Sequence, residues 1–208
     1  MGRTPTSKCS AWQDEMKSRV AVIGKGHVGS ALGRALERAG YFVRLVANNS
    51  AQVREASAWG DVVILAVPYQ ALDAVLASAG DGLSGKVLVD VVNPLTPEFQ
   101  PALGFTVSAA EEIQRKLPTA RVVKAFNTVF AQHMDSGQVN GVVLTLFAAG
   151  DDEGAKTEVL TLSRAIGFDA VDAGPLKNAR SLEALGFFNI QLGFGLQMGP
   201  GIGLKLIH

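Results

Sequence analysis

Short apolar runs alternate with amphipathic stretches along this chain of 208 residues, and the alternation predicts a layered α/β fold. The run 61–67, DVVILAV, is apolar after its first residue, which is typical of a strand buried on both faces of a parallel sheet. Further strands are predicted at 20–23, 42–46, 86–92, 121–125, 142–148 and 168–171. Helices are predicted at 30–38, 52–59, 71–78, 108–117, 151–166 and 176–196. We therefore expect a Rossmann-type, doubly wound, mostly parallel sheet with a small C-terminal helical extension.

These elements divide the chain into three predicted segments. Residues 1–18 form a leader that mixes charges of both signs, and we expect it to be partly disordered. Residues 19–150 hold the sheet-forming, dinucleotide-binding domain, and residues 151–208 form a small α/β extension with a long apolar helix. The apolar stretch 185–206 is interrupted by polar residues and a proline, so we expect no membrane span there.

Composition narrows the class of protein further. With 48% apolar and 18% charged residues, the chain has the balance of a protein that buries a large core. The formal net charge is zero, which gives no sign of the basic face that a nucleic-acid binder carries. Cys9 is the only cysteine, so no intrachain disulfide can form. Together with a start that lacks the pattern of a secretory signal, this predicts a cytoplasmic protein.

A glycine-rich motif follows the first predicted strand directly. It consists of Gly24, Lys25, Gly26, His27, Val28 and Gly29, and we predict that these six residues bind a dinucleotide. In such a motif Gly24 permits the tight turn, Gly26 lets the backbone approach a pyrophosphate, and Gly29 lets the helix pack close to the strand. The alternative is an ordinary glycine turn, but the position between a β-branched strand and a helix favours the dinucleotide site.

The end of the second predicted strand indicates which nucleotide binds. NAD sites usually place an acid there, whereas this chain has Asn48, Asn49 and Ser50, which could donate hydrogen bonds to a 2′-phosphate. This favours NADP over NAD, although the three polar residues could also do no more than form a turn. Arg44 on the strand and Arg54 on the next helix are further candidates that could reach the phosphate or miss it.

From residue 19 to residue 196 the chain resembles the NADP oxidoreductases that depend on coenzyme F420, a deazaflavin. It is also similar to the cytosolic module of six-transmembrane metalloreductases. The resemblance is carried by the glycine motif, by VVILAVP at 62–68, by DVVNPL at 90–95, by RVVKAFNTV at 121–129 and by DAGPL at 172–176. It implies a reductase that uses NADP and a deazaflavin. This chain departs from the family at Asn48-Asn49, where the family usually has Ser-Arg. The resemblance implies that the arginine of the other family members binds the 2′-phosphate.

Residues at the ends of three predicted strands complete the candidate cofactor site. They are Val67, Pro68, Tyr69, Asn93, Pro94 and Ala125. Ligands of open α/β sheets bind at the carboxyl edge of the strands, so we expect these residues to lie beside the cofactor. Asn93 and Ala125 are predicted at the nicotinamide end and Pro68 at the adenosine end. Taken singly, each proline could equally be a simple strand terminator.

The sequence offers little acid–base chemistry, and we predict no catalytic residue. The histidines at 27, 133 and 208 and the single cysteine are too scattered to predict a metal site, and no G-x-S-x-G motif is present. Hydride transfer between a nicotinamide and a flat ring needs stacking and orientation rather than a strong base. We therefore expect hydride transfer between NADP(H) and a flavin-like or deazaflavin acceptor such as F420.

Two other functions stay open at this point. One is a redox sensor or regulatory module that binds NADP(H) without turnover, and the other is a reductase of a small carbonyl substrate that relies on Lys124. An open acceptor pocket between the loop 95–105 and the C-terminal helix would favour the enzyme, and a filled one would favour the sensor. The spacing of Leu182, Leu185, Phe188, Leu192 and Leu196 gives that helix an apolar face. We expect this face to cover the nicotinamide and to form part of a homodimer surface.

Overall fold

The computed structural model describes residues 17–207. Nearly all of the predicted leader, with Cys9, and the terminal His208 lie outside the described residues. The strands are β1 (Arg19–Ile23), β2 (Phe42–Val46), β3 (Val62–Leu65), β4 (Val87–Asp90), β5 (Arg121–Lys124), β6 (Gln138–Val139), β7 (Val142–Val143), β8 (Thr145–Gly150) and β9 (Asp169–Asp172). The α-helices are α1 (His27–Arg38), α2 (Ser50–Trp59), α3 (Leu72–Ala79), α4 (Ala109–Lys116), α5 (Glu153–Ala165) and α6 (Ala179–Ile190).

Seven strands form one sheet in the order β2-β1-β3-β4-β5-β8-β9. The first five run parallel, β8 pairs antiparallel with β5, and β9 runs parallel to β8. This confirms the predicted mostly parallel, Rossmann-type sheet. The chain passes from β1 to β2 and then returns across β1 to β3, so the order reverses between β1 and β3. In open α/β sheets, ligands bind at the carboxyl edge beside such a reversal.

Side chains of the central strands point alternately into two buried layers. Val20 and Val22 of β1 pack with α1 and α5 on one face of the sheet, whereas Ala21 and Ile23 pack with α2 and α3 on the other. All four are fully buried. Burial on both faces explains why the sequence of these strands lacks polar alternation.

Two predicted elements differ from the structure. The strand predicted at 142–148 is divided into β7 and β8, and β7 forms a hairpin with β6 that the apolar pattern did not predict. The helix predicted at 176–196 consists of a 3-10 turn at Leu176–Asn178, the α-helix α6 and a π-helical turn at Gln191–Gly195. A short 3-10 helix, Ala131–His133, follows β5 and contains His133.

The segment after residue 150 contributes β9 to the same sheet and α5 and α6 to its surroundings. The division of the chain at residue 150 therefore stays a prediction. Between residues 17 and 207, no helix is both long and apolar enough to cross a membrane.

Candidate dinucleotide site

The glycine motif forms a tight turn between β1 and α1. Gly24 has φ = +118°, and a Cβ built on it would lie 2.0 Å from the carbonyl oxygen of Ala66 at the end of β3. A Cβ on Gly29 would lie 1.9 Å from the carbonyl oxygen of Gly24. The backbone of this turn is therefore packed too closely for any side chain at either position, as expected for a strand-to-helix turn of this kind.

Gly26 has a different environment from the other two glycines. It is the N-cap of α1, and a Cβ built on it would meet no atom within 4 Å. No side chain caps this helix, and its first turn contains no acidic residue. The free N–H groups of the helix therefore face open space, where they can bind an anion such as a pyrophosphate. On these observations the turn fits a dinucleotide.

A cavity of about 510 Å³, which we call the aromatic cavity, opens on one side of this turn. Its lining combines the glycine loop and α1 with the segment after β5 and the C-terminal segment, and consists of Lys25, Gly26, His27, Ser30, Ala31, Arg34, Phe130, Ala131, Gln132, Asp135, Phe194 and Pro200. The rings of Phe130 and Phe194 meet edge to face with their centroids 5.5 Å apart. Arg34 donates to Asp135 at 3.3 Å, so one cation at the wall is already paired.

A second cavity of about 280 Å³, which we call the β2 cavity, lies at the carboxyl end of β2. It is lined by Lys25, Arg44, Leu45, Val46, Gln52, Glu55 and Ala56. Lys25 borders both cavities, so a single extended ligand that crosses the glycine loop would pass beside this residue.

Two of the predicted phosphate donors after β2 also accept hydrogen bonds within the protein. The carboxamide oxygen of Asn49 accepts hydrogen bonds from the backbone N–H of Ala51 at 3.1 Å and of Gln52 at 3.3 Å, and so caps α2. The hydroxyl of Ser50 accepts from that of Ser78 at 3.1 Å. Asn48 is exposed in the turn itself.

Among the other motif residues, Lys25 and His27 are exposed and border the aromatic cavity. Val28 instead packs against the core on the α1 face. Direct contact of all six motif residues with a dinucleotide stays a prediction.

Two of the three predicted residues after β3 make contacts within the protein, through burial or a hydrogen bond. Val67 is buried in the core, and Pro68 is exposed at the start of a short 3-10 helix. The phenol of Tyr69 donates a hydrogen bond to Oε2 of Glu112 at 3.0 Å. Burial, assisted by Glu112, raises the pKa of Tyr69 to about 12, so the phenol stays protonated at neutral pH.

The predicted nicotinamide residues lie under α6 rather than in an open cavity. Ala125 is fully buried, and Asn93 exchanges hydrogen bonds with Asn127 at 2.9 and 3.0 Å. Asn127 also donates to the carbonyl oxygen of Leu182 in α6 at 2.8 Å. A Cβ on Gly186 of α6 would lie only 2.6 Å from Oδ1 of Asn93, so α6 is close-packed on this edge. The structure thus places α6 over the strand ends at Asn93 and Ala125, and the expectation that this helix covers a bound nicotinamide stays a prediction.

The pocket that we expected between the loop 95–105 and α6 is almost filled. The remaining space is about 10 Å³ and is lined by Pro94, Leu95, Pro101, Leu103, Gly104, Phe105, Glu183 and Phe187. The rings of Phe105 and Phe187 lie 6.1 Å apart across it. This space is too small for a flat acceptor.

Lys124 belongs to a buried ionic cluster. Its ammonium lies 2.9 Å from Oδ2 of Asp90 and 2.8 Å from Oε1 of Glu183, and it also donates to the carbonyl oxygen of Val92. Lys124 and Asp90 are fully buried, and Glu183 is 4% exposed. Three N–H donors with three acceptors leave no donor of Lys124 for a substrate, which argues against a carbonyl reductase that relies on this residue.

Several residues that border the aromatic cavity were missed by the sequence reasoning. Phe130 and Phe194 are 64 positions apart, and only the tertiary fold brings them together. His133 is buried, and its Nε2 lies 2.9 Å from the carbonyl oxygen of Pro200, which fixes the C-terminal segment beside this cavity. No cluster of three or more metal-ligating side chains occurs among residues 17–207.

Fold and site together define a Rossmann-type dinucleotide-binding protein. The model of the coenzyme F420-dependent NADP oxidoreductase family matches residues 19–94. A solved structure from Arthrobacter sp. FB24, assigned to the F420-dependent NADP reductases, superposes with a TM-score of 0.81 at 30% identity, and the match covers 92% of this chain and all of that one.

Two curated relatives match in addition. The F420-dependent NADP reductase of Methanocaldococcus jannaschii is 33% identical over 64% of this chain and 61% of its own length. Metalloreductase STEAP3 of Rattus norvegicus is 33% identical over 80% of this chain and 36% of its own length. This chain therefore spans only part of the curated relatives that it matches.

The chain belongs to the coenzyme F420-dependent NADP oxidoreductase family. Membership confirms the resemblance seen in the sequence. It also confirms the predicted class, the NADP-dependent oxidoreductases, and NADP as the cofactor of that class.

Proposed function

We propose that this protein transfers hydride between NADP(H) and a flavin-like or deazaflavin acceptor of the F420 type. The observation that carries the proposal is the position of the aromatic cavity, which begins at Gly26 of the dinucleotide turn and is walled by Phe130 and Phe194. A flat ring system packs well against aromatic side chains, so one cavity suits both the reactive end of a nicotinamide nucleotide and a planar acceptor.

The residues of the chain bind and orient in this proposal rather than exchange protons. The backbone N–H groups at the start of α1 hold the pyrophosphate, and Gly26 leaves the space that it needs. When bound, the nicotinamide supplies the hydride, and correct stacking against the acceptor sets the rate. No catalytic acid or base is proposed.

Charges at the mouth of the aromatic cavity favour an acidic acceptor. Lys25, His27 and Arg34 border it, against Asp135 as its one carboxylate. Asp135 is paired with both Arg34 and Arg38, so these three residues keep one net positive charge, and Lys25 adds another. An acceptor with a negatively charged tail would therefore bind better than a neutral one.

A redox sensor or regulatory module without turnover is the second candidate. The nearly filled pocket between the loop 95–105 and α6 favours it, because no acceptor could reach the strand ends from that side. The sensor would bind the nucleotide at the same glycine turn. Its aromatic cavity would bind a partner or stay empty.

The test is to mix the purified protein with oxidised coenzyme F420 and to follow its visible absorbance after adding NADPH or NADH. Parallel reactions replace F420 with FMN or FAD. Bleaching of F420 with NADPH establishes the proposed reaction, and bleaching of a flavin alone reassigns the acceptor. Tight binding of NADPH without bleaching of any acceptor would overturn hydride transfer and leave the sensor.

We further propose that the protein is a cytoplasmic homodimer. Phe188, Leu196 and Met198 at the end of α6 and beyond are 56%, 69% and 59% exposed, which is unusual for apolar side chains so close together in sequence. A single cysteine suits a reducing compartment. Light scattering at micromolar concentration should give twice the monomer mass, and Phe188→Glu should lower it to the monomer. A monomer in the unaltered protein would contradict the dimer.

A further inference from the structure

We infer that His133 is a positioning residue for the acceptor, because its hydrogen bond to Pro200 holds Phe194 at the wall of the aromatic cavity. The inference rests on the proposed function, which assigns the acceptor to this cavity. His133 is buried and does not belong to the cavity lining. It therefore acts through the C-terminal segment rather than by touching a ligand.

One short turn after β5 contacts the cavity wall at two points. Phe130 precedes the 3-10 helix Ala131–His133, and the backbone N–H of His133 donates to the carbonyl oxygen of Phe130 at 2.9 Å. The ring of Phe130 lines the cavity, with its centroid 5.5 Å from that of Phe194. The imidazole of His133 reaches the same wall at Pro200. The turn thus holds the wall by a ring contact and by a hydrogen bond.

The hydrogen bond between His133 and Pro200 has a defined direction. Nε2 of His133 lies 2.9 Å from the carbonyl oxygen of Pro200. A carbonyl oxygen can only accept, so Nε2 carries the proton and donates it. The side-chain amide of Gln132 lies 3.2 Å from the same nitrogen and can turn its oxygen toward that proton. A side chain without a donor at this position would leave the carbonyl group of Pro200 without this partner.

The segment that this bond holds reverses its direction after the π-helical turn Gln191–Gly195. The backbone N–H groups of Met198 and Gly199 donate to the carbonyl oxygens of Leu192 and Gly193, at 3.2 and 2.9 Å. Gly199 has φ = +77°, which glycine adopts without strain. The chain therefore returns toward the cavity as a hook, and the bond from the imidazole fixes the hook at its next residue.

Phe194 lies in this hook and depends on it for its position. Its side chain is 60% exposed, so it is not held by packing in the core. The neighbouring Gly193 lies against Phe130, and a Cβ built on it would be 2.7 Å from Cζ of that ring. If the hook moves away from the turn after β5, the Phe194 ring moves with it. Since a flat acceptor must stack in a defined orientation, the position of this ring affects both binding and hydride transfer.

The test compares the full chain with His133→Leu, which keeps a side chain of similar size but has no N–H donor. Reduction of oxidised coenzyme F420 by NADPH gives KM and kcat, and parallel reactions use FMN. We expect the KM of the acceptor to rise by about 5- to 10-fold, the worth of one buried hydrogen bond. The dissociation constant of NADPH, measured by isothermal titration calorimetry, should change by less than about 2-fold, because the pyrophosphate is held at the glycine turn.

Three further variants are matched to this one. His133→Gln keeps an N–H donor and should bring the acceptor KM back to within about 3-fold of the parent. Lys205→Met breaks an ion pair with Asp169 at the far end of the same segment, where both side chains are about one third exposed, and should change the acceptor KM by less than about 2-fold. Thermal unfolding checks the fold of each variant. Should His133→Leu not fold, His133→Asn, which is polar but too short to reach Pro200, replaces it.

Hydrogen exchange provides a measurement that needs no acceptor. The backbone N–H groups of Met198 and Gly199 should exchange faster in His133→Leu than in the parent, because the hook opens more often. In His133→Gln they should exchange at nearly the rate of the parent.

A double-mutant cycle tests whether His133 acts through Phe194. Phe194→Leu alone should raise the acceptor KM by about 5- to 10-fold, because it removes one aromatic wall. Adding His133→Leu to that variant should raise the KM by less than about 2-fold more.

Three results would overturn the inference while hydride transfer still stands. They are an unchanged acceptor KM in His133→Leu, an equal loss of acceptor and NADPH affinity, which marks a merely structural residue, and a full further loss in the Phe194→Leu background. A parent protein that binds NADPH but reduces neither F420 nor FMN would end the proposed function, and the place of the acceptor in the aromatic cavity with it.

Discussion

The ammonium of Lys124 lies 2.8 Å from Oε1 of Glu183, and this buried contact joins the end of β5 to α6. Burial disfavours the charge on Lys124, but Asp90 and Glu183 outweigh it and hold the pKa of Lys124 above its ordinary value. Burial raises the pKa of Glu183 to about 7 even though Lys124 lowers it. The cluster therefore fixes α6 over the carboxyl edge of the sheet with one permanent cation and one carboxyl group that titrates near neutral pH.

Removing the cation should destabilise the protein strongly. In Lys124→Met the carboxylate of Asp90 stays buried without a counter-charge and Glu183 loses its ionic partner, so we expect a loss of roughly 3–5 kcal/mol in the free energy of unfolding. Urea denaturation measures this loss. Lys116→Met is the control, because Lys116 pairs with Asp73 at 2.5 Å but both side chains are largely exposed, and its cost should be about 1 kcal/mol or less. Similar costs for the two variants would contradict the buried cluster as a source of stability.

The titration of Glu183 should make stability depend on pH between about 4.5 and 7. In this range the carboxyl group ionises in the unfolded chain but keeps its proton in the folded protein, so unfolding releases a proton and becomes easier as the pH rises. The full effect corresponds to roughly 3 kcal/mol. Urea midpoints at pH 5, 6, 7 and 8 measure it.

Glu183→Gln is the matched variant for this pH dependence, since it keeps an acceptor for Lys124 but has no proton to lose. The difference in stability between parent and variant should therefore fall from pH 5 to pH 7 and stay level above. A difference that is constant over the whole range would contradict the raised pKa of Glu183.

Two glycines of the dinucleotide turn should respond to alanine in opposite ways. Gly26 has an extended backbone and open space around it, so Gly26→Ala should change the unfolding free energy by about 0.5 kcal/mol or less. The added methyl would stand in the path of the pyrophosphate and weaken NADPH binding by about 10-fold or more. Gly29→Ala forces a methyl against the carbonyl oxygen of Gly24 and should cost several kcal/mol of stability. Calorimetric binding and thermal unfolding separate the two effects, and unchanged nucleotide binding in Gly26→Ala would place the pyrophosphate elsewhere.

The close packing of α6 on the sheet edge can be tested at Gly186. Alanine is normally favourable in a helix by about 1 kcal/mol over glycine, yet Gly186→Ala should destabilise by roughly 1–3 kcal/mol, because its methyl would meet Asn93 and Asn127. Gly33→Ala in α1 is the control, since its methyl would meet its nearest neighbour, on Leu45, at 3.8 Å. That variant should be stabilised by about 1 kcal/mol. Stabilisation of both variants would show that α6 can move away from the edge.

The fold was predictable wherever the burial of an element leaves a clear apolar pattern in its sequence. The central strands were found because both of their faces are buried, so Val62 to Leu65 could only be apolar. The hairpin of β6 and β7 was missed because each strand has two residues, which is too short for a pattern of alternation. Asn140-Gly141 between them is a strong hairpin-turn signal, and it would have predicted this element.

Only the part of the site that one continuous segment forms was predictable from the sequence. The glycine turn is one continuous segment with a defined backbone requirement, so its sequence contains the whole signal. The walls of the aromatic cavity come from Phe130 and Phe194, whose proximity depends on how the C-terminal segment folds back. Lys124 was considered as a possible ligand contact because it is a polar residue near the ligand-binding edge of the sheet, although a lysine at a strand end often only covers the surface. Its burial makes sense only once Asp90 and Glu183 are known to surround it.

The position of Lys25 on the border of both cavities has a consequence for engineering this protein. A substitution there, made to change nucleotide preference, would also alter the charge that meets the acceptor, so selectivity and turnover would change together. Arg44 and Glu55 border the β2 cavity but not the aromatic cavity. Changes meant to leave the acceptor and the speed of its reduction unaltered should therefore be made at residues that border the β2 cavity alone.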